Sequence, residues 1–394
     1  MSMSPDNRIP VTHVGSLIRP PALVQYLAAM EAGESVDDAG FQDCLQQSVI
    51  DVVQSQADHG VDIVSDGEFG KSHSWSRYVL DRLSGFELHE QESASKLKSG
   101  EVISAGNDRR QFPDFYADYD KSQGFSGLMG TWVCAGPITY SGGDELQRDI
   151  TNLKAAMAKT GVADGFLPVV APASVAPERR DEYYASDEEF VFAIAEAMAE
   201  EYAAIVDAGL YVQIDDAHLP FMYDRMVPPA SLAEYRAWAG LRIDALNHAL
   251  AGIPEDRVRY HICWGSFNSP HLGDVALADI VDLVLKVNAG AYAIEGANPR
   301  HAHEWRIWED VKLPDGKTLI PGVVTHSTNI VEHPELVAER LAQFAGLVGA
   351  ENLMAGTDCG FAQGPLVRRV HPSVQWAKLE ALAEGAAIAS GRLW

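Results

Sequence analysis

The chain has 394 residues, 47% hydrophobic, with 30 Lys and Arg against 56 Asp and Glu and a formal net charge of −26. Such a length and apolar content allow one large α/β domain with a sizeable core, and the acidic balance excludes nucleic acid as a partner, since phosphate-backbone binders need a basic footprint. No apolar run approaches the roughly 18 residues of a bilayer span and MSMSPDNRIP lacks the basic and apolar regions of a signal peptide, so no membrane partner and a cytoplasmic location are expected.

In chain order, VTHVGSLIRPP (11–21) reads as a strand-like run with a turn, and a helix-rich stretch follows to about residue 58; residues 1–58 are expected to feed the fold that comes after. VDIVSDGE (61–68) is the first counted strand. The segment 71–130 behind it, roughly sixty residues with the polar stretch 89–120, is too long for an ordinary connection and is expected to be a lid or an interface arm. Seven more short apolar runs end in Gly, Pro, Asp or Ser: TWVCAGPI (131–138), FLPVVAPAS (166–174), YVQIDDAHLP (211–220), VRYHICWGS (258–266), AYAIEGANP (291–299), PGVVTHSTN (321–329) and NLMAGTDCG (352–360). Near-continuous apolar runs suit parallel strands covered by helices on both faces. Helices are expected at 187–208, opened by a Ser186/Glu189 capping box, and at 232–251, 272–288, 333–348 and within 372–391. Eight strands alternating with helices predict a single (β/α)₈ TIM barrel over residues 1–394. The alternative, an open doubly wound sheet, lacks a glycine-rich phosphate loop at its first turn.

In such a barrel, chemistry collects where strands end. The expected strand ends carry Glu68, Asp215, His261 with Cys263, Glu295, His326 and Cys359. In HICWGSF (261–267), alternation along a strand points His261 and Cys263 to one face. On that stretch alone, a buried histidine beside a buried free cysteine is the commoner outcome. The four cysteines, Cys44, Cys134, Cys263 and Cys359, are too few and scattered for a disulfide framework, so some are free thiols or metal ligands. His261, Cys263, Glu295 and Cys359, delivered by three strand ends, make a zinc set. With two thiolates such a metal is a weak Lewis acid, better suited to holding a substrate thiolate for alkyl transfer than to activating water.

These motifs resemble the catalytic barrel of the cobalamin-independent methionine synthases: HICWGSF the family's His-x-Cys strand, YAIEG its Ile-Glu step, TDCGF its Asp-Cys-Gly motif. HVGSL, DGE and QIDD are similar to the segments that hold the homocysteine amino and carboxylate groups, which implies Ser16, Glu68 and Asp215 as substrate-binding residues, with Asp215 also near the chemistry. VVTHSTN resembles the segment of a histidine that handles a proton during methyl transfer, implying His326. The resemblance runs from about residue 11 to 390 and implies a zinc-dependent S-methyltransferase, its partners homocysteine or a related small thiol and an alkyl donor; a homo-oligomer is left open. Long members add an N-terminal barrel, for which this reading finds no counterpart, and no pterin-stacking aromatic follows GPITY (136–140), so methylfolate is expected to be a poor donor. Alternatives are an epoxide:coenzyme M type transferase, with Arg19, Arg179 or Arg180 on a sulfonate, a metal-free decarboxylase-like barrel, and a non-catalytic zinc or thiol binder.

Plainer roles stand beside these. Asp215 and Asp216 suit a helix cap, and Glu68 could pair with Lys71 or Arg77 at the surface. His301 and His303 read as loop or helix-start residues, Cys44 and Cys134 as small buried groups, and Trp264, Trp305 and Trp308 as packing or pocket lining.

Overall fold

A computed structural model describes residues 7–89, 106–122, 131–177 and 179–394. Its strands are β1 (Ile63–Ser65), β2 (Phe86–His89), β3 (Thr131–Cys134), β4 (Asp164–Val170), β5 (Arg179–Asp181), β6 (Tyr211–Asp215), β7 (Val258–Ile262), β8 (Ala291–Ile294), β9 (Thr318–Val324) and β10 (Gly356–Thr357). Seven of them make one curled parallel sheet in the order β1-β4-β6-β7-β8-β9-β10. Nearly all of their residues are buried, as expected of strands sandwiched between a barrel interior and a coat of helices.

Closure comes from the N-terminal run. Val11 forms a parallel bridge to Ala355 beside β10 and accepts a hydrogen bond from Asp62 N, 2.9 Å, beside β1, so one short extended segment touches both sheet edges. Arg259 fastens it from inside, donating to Thr12 Oγ1 (3.0 Å) and the His13 carbonyl (2.8 Å) while lying over the Phe166 ring. This corrects the strand count. VTHVGSL takes the eighth place, and TWVCAGPI lies outside the barrel: its β3 pairs antiparallel with β2 and parallel with β5 in a separate three-stranded sheet. A short apolar run is compatible with either sheet, because its pattern carries no information on which strand lies beside it.

Alternation along the strands sorts the interior. Register pairs Gln213 with Arg259 and Asp215 with His261, then Arg259 with Ala291 and His261 with Ala293. Partners in register share a face, so these residues look into the barrel, and Cys263 and Glu295 follow them two residues on. Ile63, Phe166, Tyr211, Ala291, Ala293, Ile320 and Met354 form an apolar cluster separate from the larger core between sheet and helices.

The helices Asp187–Asp207, Leu232–Ala249, Pro334–Val348 and Pro372–Leu393 lie where the periodicity places them. Ser186 caps the first by accepting from Glu189 N, 3.1 Å, and Ser231 with Glu234 forms a full capping box on the second. The expected helix 272–288 is only two short turns, Leu277–Asp279 and Val281–Val284. Its first residues are drawn into other bonds: Asp274 receives His271 and His301, and the Val275 carbonyl receives Trp264 Nε1. Among the described residues no helix is long and apolar enough to cross a membrane.

Of the segment 71–130, residues 90–105 and 123–130 lie outside the described residues. The helices Gly106–Gln111 and Pro113–Ser122 dock over the C-terminal end of the barrel. Asn107 N and Asp108 N donate to Asp224 Oδ1 (2.9 and 3.1 Å), Gly273 N to Asp108 Oδ1 (2.8 Å), and Asn268 N to Tyr119 Oη (3.1 Å).

Candidate metal and substrate site

At the C-terminal rim, β7 delivers His261 and, directly after its last residue, Cys263, while the loop after β10 delivers Cys359. One ring nitrogen of His261 and the two Sγ atoms lie within 4.8 Å of one another. Nδ1 of His261 donates to the Ala293 carbonyl (3.3 Å), which leaves Nε2, without a hydrogen-bond partner, as the free lone pair. The sulfurs are 3.7 Å apart, far beyond a disulfide bond, and share a thiol–thiolate hydrogen bond. That bond to Cys263 holds the Cys359 thiol well below its ordinary range, and its counterpart, together with burial, drives Cys263 up. Two soft sulfurs and an imidazole nitrogen are the donor chemistry zinc prefers; burial lowers the His261 pKa, but the hydrogen bond and charge of Cys359 outweigh it and raise it.

Glu295, at the end of β8, stands just outside this group of three. Its Oε2 accepts from Asn298 Nδ2 (3.1 Å), its Oε1 has no partner, and burial raises its pKa well above the carboxylate range. A buried carboxyl with a free oxygen, near enough to both sulfurs for their charges to interact, has the chemistry of a fourth ligand. Asp358 fixes the loop that carries it: Oδ1 accepts from Gly296 N and Ala297 N, both at 2.8 Å. Gly360, next to Cys359, is needed for space, because a Cβ there would sit 1.8 Å from Ser16 Oγ. This places Ser16 against the sulfur-bearing loop. His326 is 2% exposed with neither ring nitrogen partnered, and burial lowers its pKa to about 4, so it is neutral at physiological pH.

Beside the sulfurs lie the other expected residues. Asp215 accepts from Gln213 Nε2 (2.9 Å), and burial raises its pKa to about 7, with His261 opposing and Glu68 adding to the rise. Glu68 is buried and pairs with Lys71 at 3.1 Å, so the ion pair that could have been a surface feature is internal. Asp216, one residue before the N-cap Ala217, supports the start of the helix His218–Met226: its carboxylate takes the hydroxyls of Ser174 (2.7 Å) and Tyr260 (2.8 Å) and the Leu219 amide, while Ser174 Oγ accepts from His218 N (3.1 Å). A half-buried wall of Trp75, His218, Phe221 and Phe267 rises beside the site, with Arg369 over the Phe267 ring at 5.4 Å.

The remaining residues singled out in the sequence are elsewhere. Cys134 is in the small sheet and burial pushes its thiol up to about 11; Cys44 is half-buried in a helix. Trp264 is fully buried, stacked on His301 at 3.9 Å. Arg19 is buried under the Glu68–Lys71 turn. Arg180 pairs with Glu182 (2.9 Å) and Arg179 donates to the Pro177 carbonyl, both in the small sheet. Two positions of the site carry more than their sequence suggested: Asp358, whose only signal is its place before Cys359, and Lys71, read there as a surface partner.

The family model described as "Cobalamin-independent synthase, Catalytic domain" matches residues 151–378. The chain belongs to this family. It is an enzyme of the cobalamin-independent synthase type. Relatives include a methionine synthase from Thermococcus kodakarensis, 23% identical and covering 89% of this chain and 86% of its own length. The uncharacterized protein YxjH of Bacillus subtilis is 24% identical, with 93% and 91% covered. Among solved structures, a B12-independent methionine synthase from Shewanella sp. in complex with selenomethionine superposes with a TM-score of 0.70 at 18% identity, covering 98% of this chain and 99% of that one, which supports the fold.

Proposed function

We propose that this protein is a zinc-dependent S-methyltransferase whose acceptor is homocysteine or a related small thiol. The observation that carries the reading is the convergence of one His261 nitrogen and the Cys263 and Cys359 sulfurs within 4.8 Å at the rim where Asp215 and Glu68 also lie. His261, Cys263, Cys359 and Glu295 would hold the metal. Zinc at such a sulfur-rich site favours a thiolate over a thiol near neutral pH.

The chain's own residues supply the rest. Asp215 and Glu68 offer carboxylates to an acceptor's ammonium, and Ser16 stands next to the Cys359 loop. Transfer forms a sulfur–carbon bond and breaks the bond between the methyl group and its donor, whose departing atom keeps the electron pair. His326, neutral and buried beside Cys359, can give a ring N–H to that atom while its other nitrogen takes up a proton from solvent, so that the ring ends neutral as it began. The docked helices at 106–122 narrow the mouth and keep water from the thiolate.

The test is zinc analysis of carefully purified protein followed by calorimetry with homocysteine in buffers of different ionisation enthalpy. Stoichiometric zinc and release of a proton on thiol binding are expected. Folded protein that takes up no zinc, or binds homocysteine without proton release, overturns the reading. A donor screen with methylfolates, methylcobalamin-type donors and small epoxides then separates methyl transfer from epoxide opening, with triglutamyl methylfolate expected to turn over poorly.

A further inference from the structure

His326 has no hydrogen bond of its own to set its ring, so its place depends on the backbone on either side. That backbone is clamped twice. Ser327 N donates to Thr325 Oγ1 (3.3 Å) and the two hydroxyls bond at 3.0 Å, which closes a tight turn around the histidine. Thr325 N in turn donates to Glu332 Oε1 at 2.9 Å.

What holds Glu332 comes from outside the barrel. Its Oε2 accepts from Lys378 Nζ at 2.8 Å, and the same ammonium donates to the Ile330 carbonyl. Lys378 lies in the helix Pro372–Leu393 with 0% of its side chain exposed, against 8% for Glu332. Gln375, at i−3 on the same face of that helix, accepts from Ile18 N (2.8 Å), and His371 N, at its start, donates to Asn329 Oδ1 (2.8 Å). One helix of the outer coat thus reaches the loops that carry Ser16 and His326.

Apolar side chains of similar volume often hold a helix as firmly as a buried ion pair, because an ammonium and a carboxylate lose their hydration on burial. What the pair adds here is direction: Lys378 fixes how Glu332 turns, and Glu332 fixes Thr325. Burial raises the Asp358 pKa to about 7, the Ala297 and Gly296 amides and Arg340 oppose the rise, and Glu332 adds to it. Service to the Cys359 loop through Asp358 is therefore the competing role, and zinc content reports it.

We infer that Lys378 and Glu332 are positioning residues for His326, a buried ion pair by which the outer helix aims the ring at the departing atom; this rests on the proton-donor reading above.

The experiment compares two electrophiles on zinc-loaded protein carrying homocysteine. Propylene oxide opens with its oxygen keeping the electron pair and taking a proton, whereas methyl iodide releases iodide, which keeps the pair and needs no proton. Lys378→Met/Glu332→Met removes both charges together and leaves no buried ion unpaired; its single-turnover rate with propylene oxide should fall about 10- to 100-fold. Its rate with methyl iodide, its zinc content and its homocysteine affinity should stay within about twofold of wild type, and in a His326→Gln background the same pair of substitutions should change the propylene oxide rate by less than about twofold. Equal slowing of both electrophiles, an equal fall in both backgrounds, loss of zinc, or an unchanged propylene oxide rate overturns the assignment. Should that protein not fold by circular dichroism, Lys378→Met alone keeps the acceptor for Thr325 N, and the same split between electrophiles is expected of it.

A second readout needs no turnover. In metal-free protein with isotope-labelled histidine, the NMR ring signal that is missing from His326→Gln should shift or broaden in the doubly substituted protein, while those of His13, His271 and His301 stay in place. Movement of all four, or of none, overturns the assignment. If zinc-loaded wild type alkylates homocysteine with neither electrophile, the thiol-activation reading fails, and this spectrum still decides whether the pair places the ring.

Discussion

Two pairs of histidines share the same end of the barrel, and their surroundings are opposite. His271 gives Nδ1 to Asp274 (2.9 Å) and Nε2 to the Phe267 carbonyl (2.9 Å); His301 faces Asp274 and Glu304 at 2.9 and 2.8 Å. Every ring nitrogen of that pair has an oxygen. Although burial opposes a charge on both, the carboxylates outweigh it and raise their pKa values. His261 and His326 are buried as deeply, yet three of their four nitrogens have no partner. Buried polar atoms are normally bonded, and an orphan costs about 1–3 kcal/mol, so a cluster of them marks a place where the fold is incomplete without a ligand. On the reading proposed above the satisfied pair is scaffold and the unsatisfied pair is chemistry; the His261 pKa is raised too, but by the Cys359 sulfur rather than by a carboxylate pair.

Sulfur substitutions should break this contrast most severely. Cys263→Ser and Cys359→Ser should each weaken zinc binding by more than about 100-fold and abolish transfer, while circular dichroism stays native because the ligands sit on a rim. Wild-type zinc content in both variants would remove the metal from the site. Next comes His326→Gln, expected to lower the transfer rate about 10²- to 10⁴-fold with zinc content and thermal midpoint unchanged, read from single-turnover assays and a melt. The satisfied pair should respond the other way. His301→Phe keeps a ring on Trp264 but removes one of the two histidines on Asp274 and the partner of Glu304 Oε2, so urea unfolding should show a loss of about 1–3 kcal/mol, with the zinc of the folded fraction retained.

The sequence made the strand ends legible because inward-facing polar residues interrupt apolar runs at fixed places: Asp215, His261 with Cys263, Glu295 and Cys359 all project at the rim where barrel logic puts them. It could not tell β3 from a barrel strand, since Val133 and Cys134 are as buried in the small sheet as Val212 and Ile214 are in the large one. Nor could it see that VTHVGSL closes the barrel, because closure is a pairing between residues 11 and 355 that no local pattern encodes. Asp215 and Asp216 were likewise indistinguishable as letters. What separates them is that Ser174 and Tyr260 reach one and the acceptor's surroundings reach the other.

The finest test of the contrast is its pH dependence, and a fifth histidine provides the control. His13 is buried with both nitrogens bonded to neutral groups: Gly15 N donates to Nδ1 (3.1 Å), so Nε2–H donates to Gln56 Oε1 (2.7 Å). Burial outweighs that bond and lowers its pKa from 6.5 to about 4. The unfolded chain therefore binds this proton more readily than the folded one, and stability from His13 is complete above pH 6.5 and is lost as pH falls toward 4. The loss approaches about 3 kcal/mol. His301 has the reverse sign: its pKa is raised, so its contribution is complete below 6.5 and is lost as pH rises through the folded value. Measured by urea unfolding from pH 4 to 8, the stability gap between wild type and His13→Gln should close toward acid, whereas the gap to His301→Phe should close toward base. Parallel pH profiles for the two variants would mean that the Asp274 and Glu304 carboxylates do not hold His301 as a cation, and the division of these histidines into scaffold and chemistry would lose its electrostatic basis.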